Sequence, residues 1–205
     1  MLGTATWTQH RDVSTGILRV LRTRPGMYVG DLTDGSGLAR MILEAPAFLL
    51  SDALPGAPSI VEITLEAAGV VRVGDDRGDI AFPKGRSIEQ RLDEVLEHLH
   101  TYDAGTMSIG LMNGIAVALA LSEWFEIHYV SADEPRSRRY ERATRVSNPA
   151  TTAMDSPAKG VRLAFRPDAD VFGDFEVPVD QLRRSLAASQ LSVRVDVRDL
   201  ARHPG

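Results

Sequence analysis

One stretch of the sequence constrains the fold more than any other, because it is almost free of polar side chains. It is Ile115–Leu121, and it directly follows a glycine-broken segment, Gly105–Gly114. An apolar run of this kind must be buried in a soluble chain, so other elements have to cover it. The chain can supply them, since 43% of its 205 residues are hydrophobic and 25% are charged, which is ample for one core. We predict a loop at Gly105–Gly114 and a buried segment after it, within a single domain.

The rest of the chain alternates helical and strand-like patterns. Apolar spacing of about three to four residues predicts helices, and alternation of apolar and polar residues predicts strands. The predicted helices are Val13–Arg22, Ser36–Ser51, Ser87–His100 and Val179–Ser189, and the predicted strands are Ile60–Glu66, Val70–Gly74, Phe125–Val130, Arg139–Arg145, Val161–Phe165 and Leu191–Val197. Because helices interleave with strands that are mostly joined as hairpins, the pattern indicates an α+β fold, a two-layer sandwich of helices on a sheet.

Capping and proline residues set the boundaries of the first two helices. The residue before a proline is disfavoured in the helical region, so the first helix must end before Arg24-Pro25. Ser36 is the predicted N-cap of the second helix. Pro46 falls inside that helix, which therefore either kinks there or consists of two pieces.

Charge and composition exclude several classes of protein. The chain has 23 basic and 28 acidic residues, a net charge of −5, so its overall field does not attract nucleic acid and we expect no direct nucleic-acid partner. The absence of cysteine excludes disulfides, thiolate catalysis and cysteine zinc sites. No apolar run approaches the length of a membrane span, and residues 1–12 read as a polar arm without the apolar core of a signal peptide. We expect a cytoplasmic protein that does not bind membranes.

The most specific motif in the chain is Arg22–Asp31, which reads RTRPGMYVGD. It is soon followed by Gly37–Glu44, which reads GLARMILE. These strings resemble the opening motif and the glutamate-bearing helix in the ATPase domain of type II topoisomerases, that is, the B subunit of bacterial DNA gyrase and its topoisomerase IV counterpart. Weaker similarities follow in the same order as far as Val195, so the resemblance covers nearly the whole chain.

This resemblance implies the GHKL, or Bergerat, fold, in which helices on one face of a mixed, mostly antiparallel sheet frame a nucleotide. It implies one gyrase-B-like ATPase subdomain over residues 1–205, with residues 1–12 as an N-terminal arm and without the transducer and TOPRIM domains of the family. The sequence has no GxxxxGK[ST] string, so a P-loop has no support.

Glu44 matches the general base of the family and is a candidate catalytic residue, either active or vestigial. Four residues later, where the family has an asparagine that ligates magnesium, this chain has Phe48, and Ala47 replaces the acidic residue before it. A phenyl ring offers no lone pair to a hard cation that binds oxygen, so we expect neither a metal site nor bound magnesium. Phe48 reads as a core residue on the same stripe as Met41 and Ala45, or more specifically as a ring that fills the former phosphate and magnesium space.

The adenine-binding motifs of the family survive only in part, and ATP is the candidate ligand. Asp75 matches the aspartate that accepts a hydrogen bond from the adenine amine, although an ordinary turn explains Asp75 and Asp76 about as well. Side chains stand at both glycine positions of that motif, with Gly78 between them. Gly160 remains from a glycine-threonine pair, whose threonine is Val161 here.

The phosphate lid of the family is also altered, because the loop is shorter and lacks its lysine. Gly110, Asn113 and Gly114 remain from the glycine-rich string that leads into a helix. We expect backbone N–H groups at Asn113 and Gly114 to be free to meet an anion at that helix N-terminus.

Other polar residues give weaker signals. Five arginines cluster on a predicted hairpin, Arg136, Arg138, Arg139, Arg142 and Arg145. Glu141 interrupts them, and the chain is acidic, so a solvated strand face is favoured over a nucleic-acid site. His128 has no ligand-like neighbours in the sequence.

These features lead to one favoured hypothesis and two alternatives. The favoured hypothesis is a standalone, degenerate relative of the gyrase B domain, a pseudo-ATPase with weak or no ATP binding that acts as an interaction module for a protein partner or for a second copy of itself. The first alternative is an ATP-binding protein whose hydrolysis a partner activates. The second is a modulator of DNA gyrase that enters mixed dimers with gyrase subunits.

Overall fold

The computed structural model describes residues 18–48, 60–75, 109–131, 134–146, 161–188 and 194–200. The predicted arm over residues 1–12 and the predicted helix Ser87–His100 lie outside these ranges. In the described part of the chain, seven strands form one sheet and helices pack against it. The predicted α+β fold with a mixed, mostly antiparallel sheet is confirmed.

The sheet has one parallel pair of strands in an otherwise antiparallel order. Its strands are β1 (Ile60–Leu65), β2 (Val71–Asp75), β3 (Ser122–Ser131), β4 (Glu134–Glu141), β5 (Thr144–Arg145), β6 (Val161–Pro167) and β7 (Arg194–Asp199). They lie in the order β5-β4-β3-β6-β2-β1-β7. Among the described strands only β1 and β7 run parallel, with Val61 opposite Val195. The first and last strands of the described chain are therefore neighbours in space.

The helices are mostly short. They are α1 (residues 18–23), α2 (Gly26–Val29), α3 (Ser36–Glu44), α4 (Ile109–Ala120), α5 (Ala169–Phe172) and α6 (Val179–Ala188), together with two 3-10 helices, η1 (Ala45–Phe48) and η2 (Ala67–Gly69). The first helix ends at residue 23, as the following Arg24-Pro25 predicts. The second predicted helix consists of two pieces, α3 and η1, which is one of the two outcomes that Pro46 allows.

The core lies between the helices and one face of the sheet. Alternation places Val61, Ile63 and Leu65 of β1 on the buried face. Phe125 and Phe165, both fully buried on neighbouring strands, stack with their ring centroids 5.7 Å apart. The whole of Ile115–Leu121 is buried, because α4 contacts α3 and η1 as well as β3 and β6. The predicted burial of this run is confirmed.

Four local predictions need correction. The loop predicted as far as Gly114 is wrong from Ile109 onward, where α4 begins. Ser36 is the first residue of α3 and not its N-cap, since Gly35 caps the helix in a left-handed conformation and the Asp34 side chain accepts the Ser36 N–H at 2.8 Å.

The other two corrections concern strands. The strand predicted at Arg139–Arg145 is interrupted by a turn, because Arg142 and Ala143 have φ of 45° and 67°. This turn separates β4 from β5. The last strand runs to Asp199, two residues beyond its predicted end at Val197, and residues 191–193 of the prediction are not described.

Candidate functional site

Glu44 is the last residue of α3, at the boundary between the core and the solvent. The preceding residues Met41 and Ile42 are fully buried, and the Glu44 side chain is 32% exposed. Its Oε1 lies 3.5 Å from Nε of Arg40, one helical turn earlier, and Arg40 is itself 59% exposed. A weak, solvated ion pair of this kind contributes little to stability. The carboxylate is therefore accessible to water and not held by a strong partner among the described residues.

Pro46 sets the backbone conformation directly after Glu44. A proline has no N–H, so it cannot donate the α-helical hydrogen bond to the carbonyl of Ile42, four residues earlier. The α-helix accordingly ends at Glu44, and the chain continues through Phe48 as the 3-10 helix η1. Phe48 therefore ends a tighter 3-10 turn. It does not lie one α-helical turn after Glu44, the candidate base.

The same short helix brings the candidate segments together. η1 contacts both α4 and β2. Asp75 is the last residue of β2 and lies opposite Val61 of β1 in the register. α3, β2 and α4 therefore all contact η1, so the elements that carry Glu44, Asp75 and Gly110 are neighbours in the fold. The side chains of Asp75 and Phe48 lie outside the described part, and so do Gly78 and Gly160.

The start of α4 changes the predicted phosphate contact. Only the first four N–H groups of an α-helix lack an intrahelical partner. The described part of α4 starts at Ile109, so Asn113 and Gly114 lie at least five and six residues into the helix. Their N–H groups are therefore used within the helix, and the expectation that they are free is wrong.

The donor set does not fit magnesium. The residue at the position of the family ligand is Phe48, which carries no oxygen, and a hard cation of this kind binds oxygen. Within the described ranges, no three histidine, aspartate or glutamate side chains are placed so that they could share a metal ion. In the same ranges, no helix is long and apolar enough to cross a lipid bilayer.

A pair of charged residues remote from the candidate site was not predicted. Asp168 follows β6, and its side chain is 2% exposed and lies 2.6 Å from Nη2 of Arg22. Asp168 also caps α5, since its Oδ1 accepts the Asp170 N–H at 3.0 Å. The sequence offers a partial signal, because an aspartate before a short helix is a common N-cap, but nothing local indicates its partner 146 residues earlier.

The sheet face that carries Glu126 and His128 also differs from the prediction. His128 Nε2 lies 3.1 Å from Oε2 of Glu126, and both side chains are 4% exposed. Arg139, across the strand pair, contacts Glu126 at 2.5 Å and lies over the Trp124 ring at 5.1 Å. The expectation that His128 lacks a ligand-like neighbour is wrong.

The expected solvated strand face is also wrong for part of the arginine cluster. Arg138 is only 7% exposed, and Arg139 is engaged by Glu126 and Trp124. Arg136, Arg142 and Arg145 are exposed, as predicted.

A cavity of about 410 Å³ lies at the other end of β1 from Val61 and Asp75. It opens between the β1–β2 turn at Gly69 and the segment after α5 at Phe175, and Asp199 of β7 also lines it. None of the predicted site residues lines this cavity, so it is separate from the candidate site around Glu44.

The chain is similar in sequence to the B subunits of bacterial DNA gyrases, although no family model matches it. It is 31% identical over 178 residues to the B subunit of DNA gyrase from Caulobacter vibrioides, a match over 78% of this chain and 22% of that protein. It is 28% identical over 188 residues to the B subunit of DNA gyrase from Rickettsia conorii, over 87% of this chain and 23% of that protein.

Among solved structures, the fold resembles a crystal structure of the B subunit of DNA gyrase from Myxococcus xanthus. The TM-score is 0.65 at 21% sequence identity, and the match covers 91% of this chain and 54% of that one. The chain spans about a quarter of the length of the curated relatives it matches.

Proposed function

The chain is a gyrase-B-like GHKL domain with a nucleotide-binding fold, and on this premise we propose that it is a pseudo-ATPase. It binds ATP weakly or not at all, without magnesium, and acts as an interaction module for a protein partner or a second copy of itself. We further propose that residues 1–205 form one domain. The single sheet that joins β1 to β7 supports this.

The observation that carries the proposal is the end of α3 at Glu44. Pro46 replaces the next α-helical turn by η1, which ends at Phe48, the position where the family holds magnesium. Backbone geometry and side-chain chemistry therefore both depart from a metal site at the same place. Without the metal, the negative charge that develops on a transferring phosphoryl group is left without its main electrostatic stabilisation.

Part of a nucleotide site remains. Gly110 lies in the N-terminal part of α4, and the N-terminus of a helix favours anions such as phosphate. Asp75 ends β2, a strand that contacts η1, and it matches the family aspartate that accepts the adenine amine. These two features support residual binding of the nucleotide and do not supply chemistry.

Calorimetric titration of the 205-residue chain with ATP and with a non-hydrolysable analogue, each with and without magnesium, tests the proposal. We expect a dissociation constant on the order of 1 mM or weaker, unchanged by magnesium. Asp75→Ala should abolish any residual heat, and Asp170→Ala, an exposed aspartate on α5, should leave it unchanged. Tight binding that depends on magnesium would overturn the proposal.

One observation favours a second candidate, partner-activated hydrolysis. Glu44 keeps a carboxylate that is 32% exposed and only weakly paired, so it could still orient a water molecule if another chain completed the site. Steady-state phosphate release is measured for the wild type, Glu44→Ala and Glu123→Ala, alone and with the purified gyrase subunits of the same organism. Glu123 is a matched control, because it is 42% exposed and also faces an arginine, Arg166, at 3.0 Å.

Comparing the wild type, Glu44→Ala and Glu123→Ala distinguishes a pseudo-ATPase from partner-activated hydrolysis. For a pseudo-ATPase, all three release phosphate at the same background rate with and without gyrase. A rate that gyrase raises, and that Glu44→Ala but not Glu123→Ala abolishes, would establish partner-activated hydrolysis instead. Co-purification with gyrase without any change in rate would favour the mixed-dimer alternative.

A further inference from the structure

The segment Arg22–Asp31 is the most specific string in the sequence, yet none of its residues is a candidate for nucleotide contact. It comprises the end of α1, the short helix α2 and the turn before α3. Its two ends make contacts far from the cleft beside Glu44. Those contacts give the segment a role that the proposed function does not use.

Arg22, at the first end, closes the C-terminus of α4. Its Nη1 donates to the carbonyl oxygen of Ala120, the last residue of α4, at 2.8 Å. Its Nη2 donates to Oδ2 of Asp168 at 2.6 Å. Carbonyls at a helix C-terminus lack intrahelical donors and carry a partial negative charge, which a guanidinium satisfies.

The turn that carries Asp168 contacts the same end of α4. The backbone N–H of Asp168 donates to the carbonyl oxygen of Leu121 at 3.0 Å. Ser122 Oγ donates to the carbonyl of Ala118, also at the end of α4, at 2.5 Å. The two terminal nitrogens of the Arg22 guanidinium therefore bond to α4 and to the start of α5 at the same time. The ammonium group of a lysine, a single point charge, could not reproduce both bonds in this geometry.

Asp31, at the second end, contacts the N-terminus of α3. Its carbonyl oxygen accepts the Gly37 N–H at 2.8 Å. A Cβ at position 37 would lie 2.3 Å from that oxygen, so the backbone of α3 rests directly on the segment. One short stretch of chain is thus bonded to α3 at one end and to α4 at the other.

Both contacts lie at the helix ends opposite the cleft. Glu44 is at the C-terminus of α3, and Gly110 is at the N-terminus of α4. The two helices also contact each other. A helix is stiff because its backbone hydrogen bonds are continuous, so a displacement at its anchored end is transmitted to its other end.

We propose that Arg22–Asp31 positions α3 and α4 relative to each other, with Arg22 as the positioning residue, and that this sets the distance between Glu44 and the N-terminal part of α4, the two sides of the expected nucleotide cleft. The role of that cleft in binding a nucleotide rests on the proposed function. The positioning of the two helices does not, and it can be measured without any nucleotide.

Amide hydrogen exchange on the full 205-residue chain is the test, with Arg22→Gln, Arg22→Lys and Arg72→Gln compared with the wild type. Arg72 is the control. Its Nε also lies 2.6 Å from a carboxylate oxygen, that of Glu66, but Arg72 is on β2 and away from α4. Arg22→Gln should raise exchange of the α4 and α3 amides about tenfold or more, without a comparable rise in β1 and β2. Arg22→Lys should restore part of the protection, and Arg72→Gln should leave α4 unchanged.

A uniform rise in exchange across all elements would show that Arg22 serves global stability only and would overturn the proposal. So would unchanged exchange in α4. If Arg22→Gln does not fold, Arg22→Lys still tests the proposal, because its loss of amide protection must be confined to α3 and α4. If the wild type binds a nucleotide, Arg22→Gln should also weaken that binding about fivefold. If it binds none, the cleft has no role in nucleotide binding, while the exchange result still tests the positioning of the two helices.

Discussion

Arg22 and Asp168 form an ion pair of 2.6 Å in which the carboxylate is 2% exposed and the guanidinium 20%. Burial raises the pKa of Asp168, but other contacts outweigh it. These are the hydrogen bonds from Arg22 and from the Asp170 backbone and the positive charges of Arg22 and Arg142, and they hold the pKa of Asp168 below its ordinary value of 3.8.

Asp168→Asn should lower the free energy of unfolding at neutral pH by about 3 kcal/mol, because it leaves a largely buried guanidinium without its counter-charge. A depressed pKa in the folded state means that the stabilisation is complete above pH 3.8 and is lost as the pH falls through the lower, folded value. The difference between wild type and variant should therefore be constant above about pH 5 and shrink below about pH 4. Urea unfolding across this range measures it.

Asp170→Asn is the control for this prediction. Asp170 pairs with Arg142 at 2.9 Å, but both side chains are more than half exposed. Its loss should cost less than about 0.5 kcal/mol. Equal costs for the two variants, or a difference that grows in acid, would contradict the account of Asp168.

Gly37→Ala should destabilise the fold by about 2–4 kcal/mol, because its Cβ would lie 2.3 Å from the Asp31 carbonyl oxygen, which cannot move without displacing the turn. Gly26→Ala is the matched change in a neighbouring helix, where a Cβ meets nothing within 4 Å. It should be neutral or stabilising by up to about 1 kcal/mol. Thermal unfolding of both variants gives the comparison, and similar melting temperatures would refute the close approach.

Glu126→Ala should cost about 3 kcal/mol and Glu141→Ala less than about 1 kcal/mol, although both carboxylates contact Arg139. Glu126 is 4% exposed and also contacts His128, whereas Glu141 is 56% exposed and contacts Arg139 at 3.0 Å. Chemical unfolding of each variant tests whether burial decides the difference. A larger loss for Glu141→Ala would show that it does not.

Gly69→Ala should cost more than Gly35→Ala. Both glycines have a positive φ, +74° and +80°, so each alanine suffers backbone strain of about 1–2 kcal/mol. Only at position 69 does the new Cβ also crowd a ring, that of Phe175 at 3.1 Å, whereas at position 35 the nearest atom, Cβ of Pro178, is at an ordinary 3.5 Å. Equal losses of stability in urea would mean that Phe175 moves aside freely.

Strands with strong alternation could be predicted from the sequence. Ile60–Glu66 and Val70–Gly74 match β1 and β2 within a residue or so, because a hairpin with a glycine turn is a local signal. The parallel pairing of β1 with β7 could not be predicted, since nothing in either strand specifies its partner. Likewise, nothing in the sequence around Arg22 or Asp168 specifies that these two residues pair with each other.

The candidate site was predicted in its parts rather than in its geometry. Glu44 lies at the end of α3 beside η1, as the helical pattern and Pro46 indicate. The early start of α4 was missed, because Gly110 and Gly114 each lower helix propensity by about 1 kcal/mol and suggest a loop. Packing of α4 against α3, η1 and the sheet overrides that preference.

The parallel pairing of β7 with β1 has a consequence for how the protein is made. On the ribosome, β1 emerges long before its partner, so its outer edge stays open while the intervening chain is synthesised, and long-range pairing of this kind is slow. An open edge strand can recruit another nascent chain by backbone pairing. The arrival of Arg194–Asp199, fixed by the Leu200 N–H on the Leu65 carbonyl, covers the edge of β1. The edge strand on this side of the described sheet is then β7, and four of its six residues are charged, which opposes pairing with another chain.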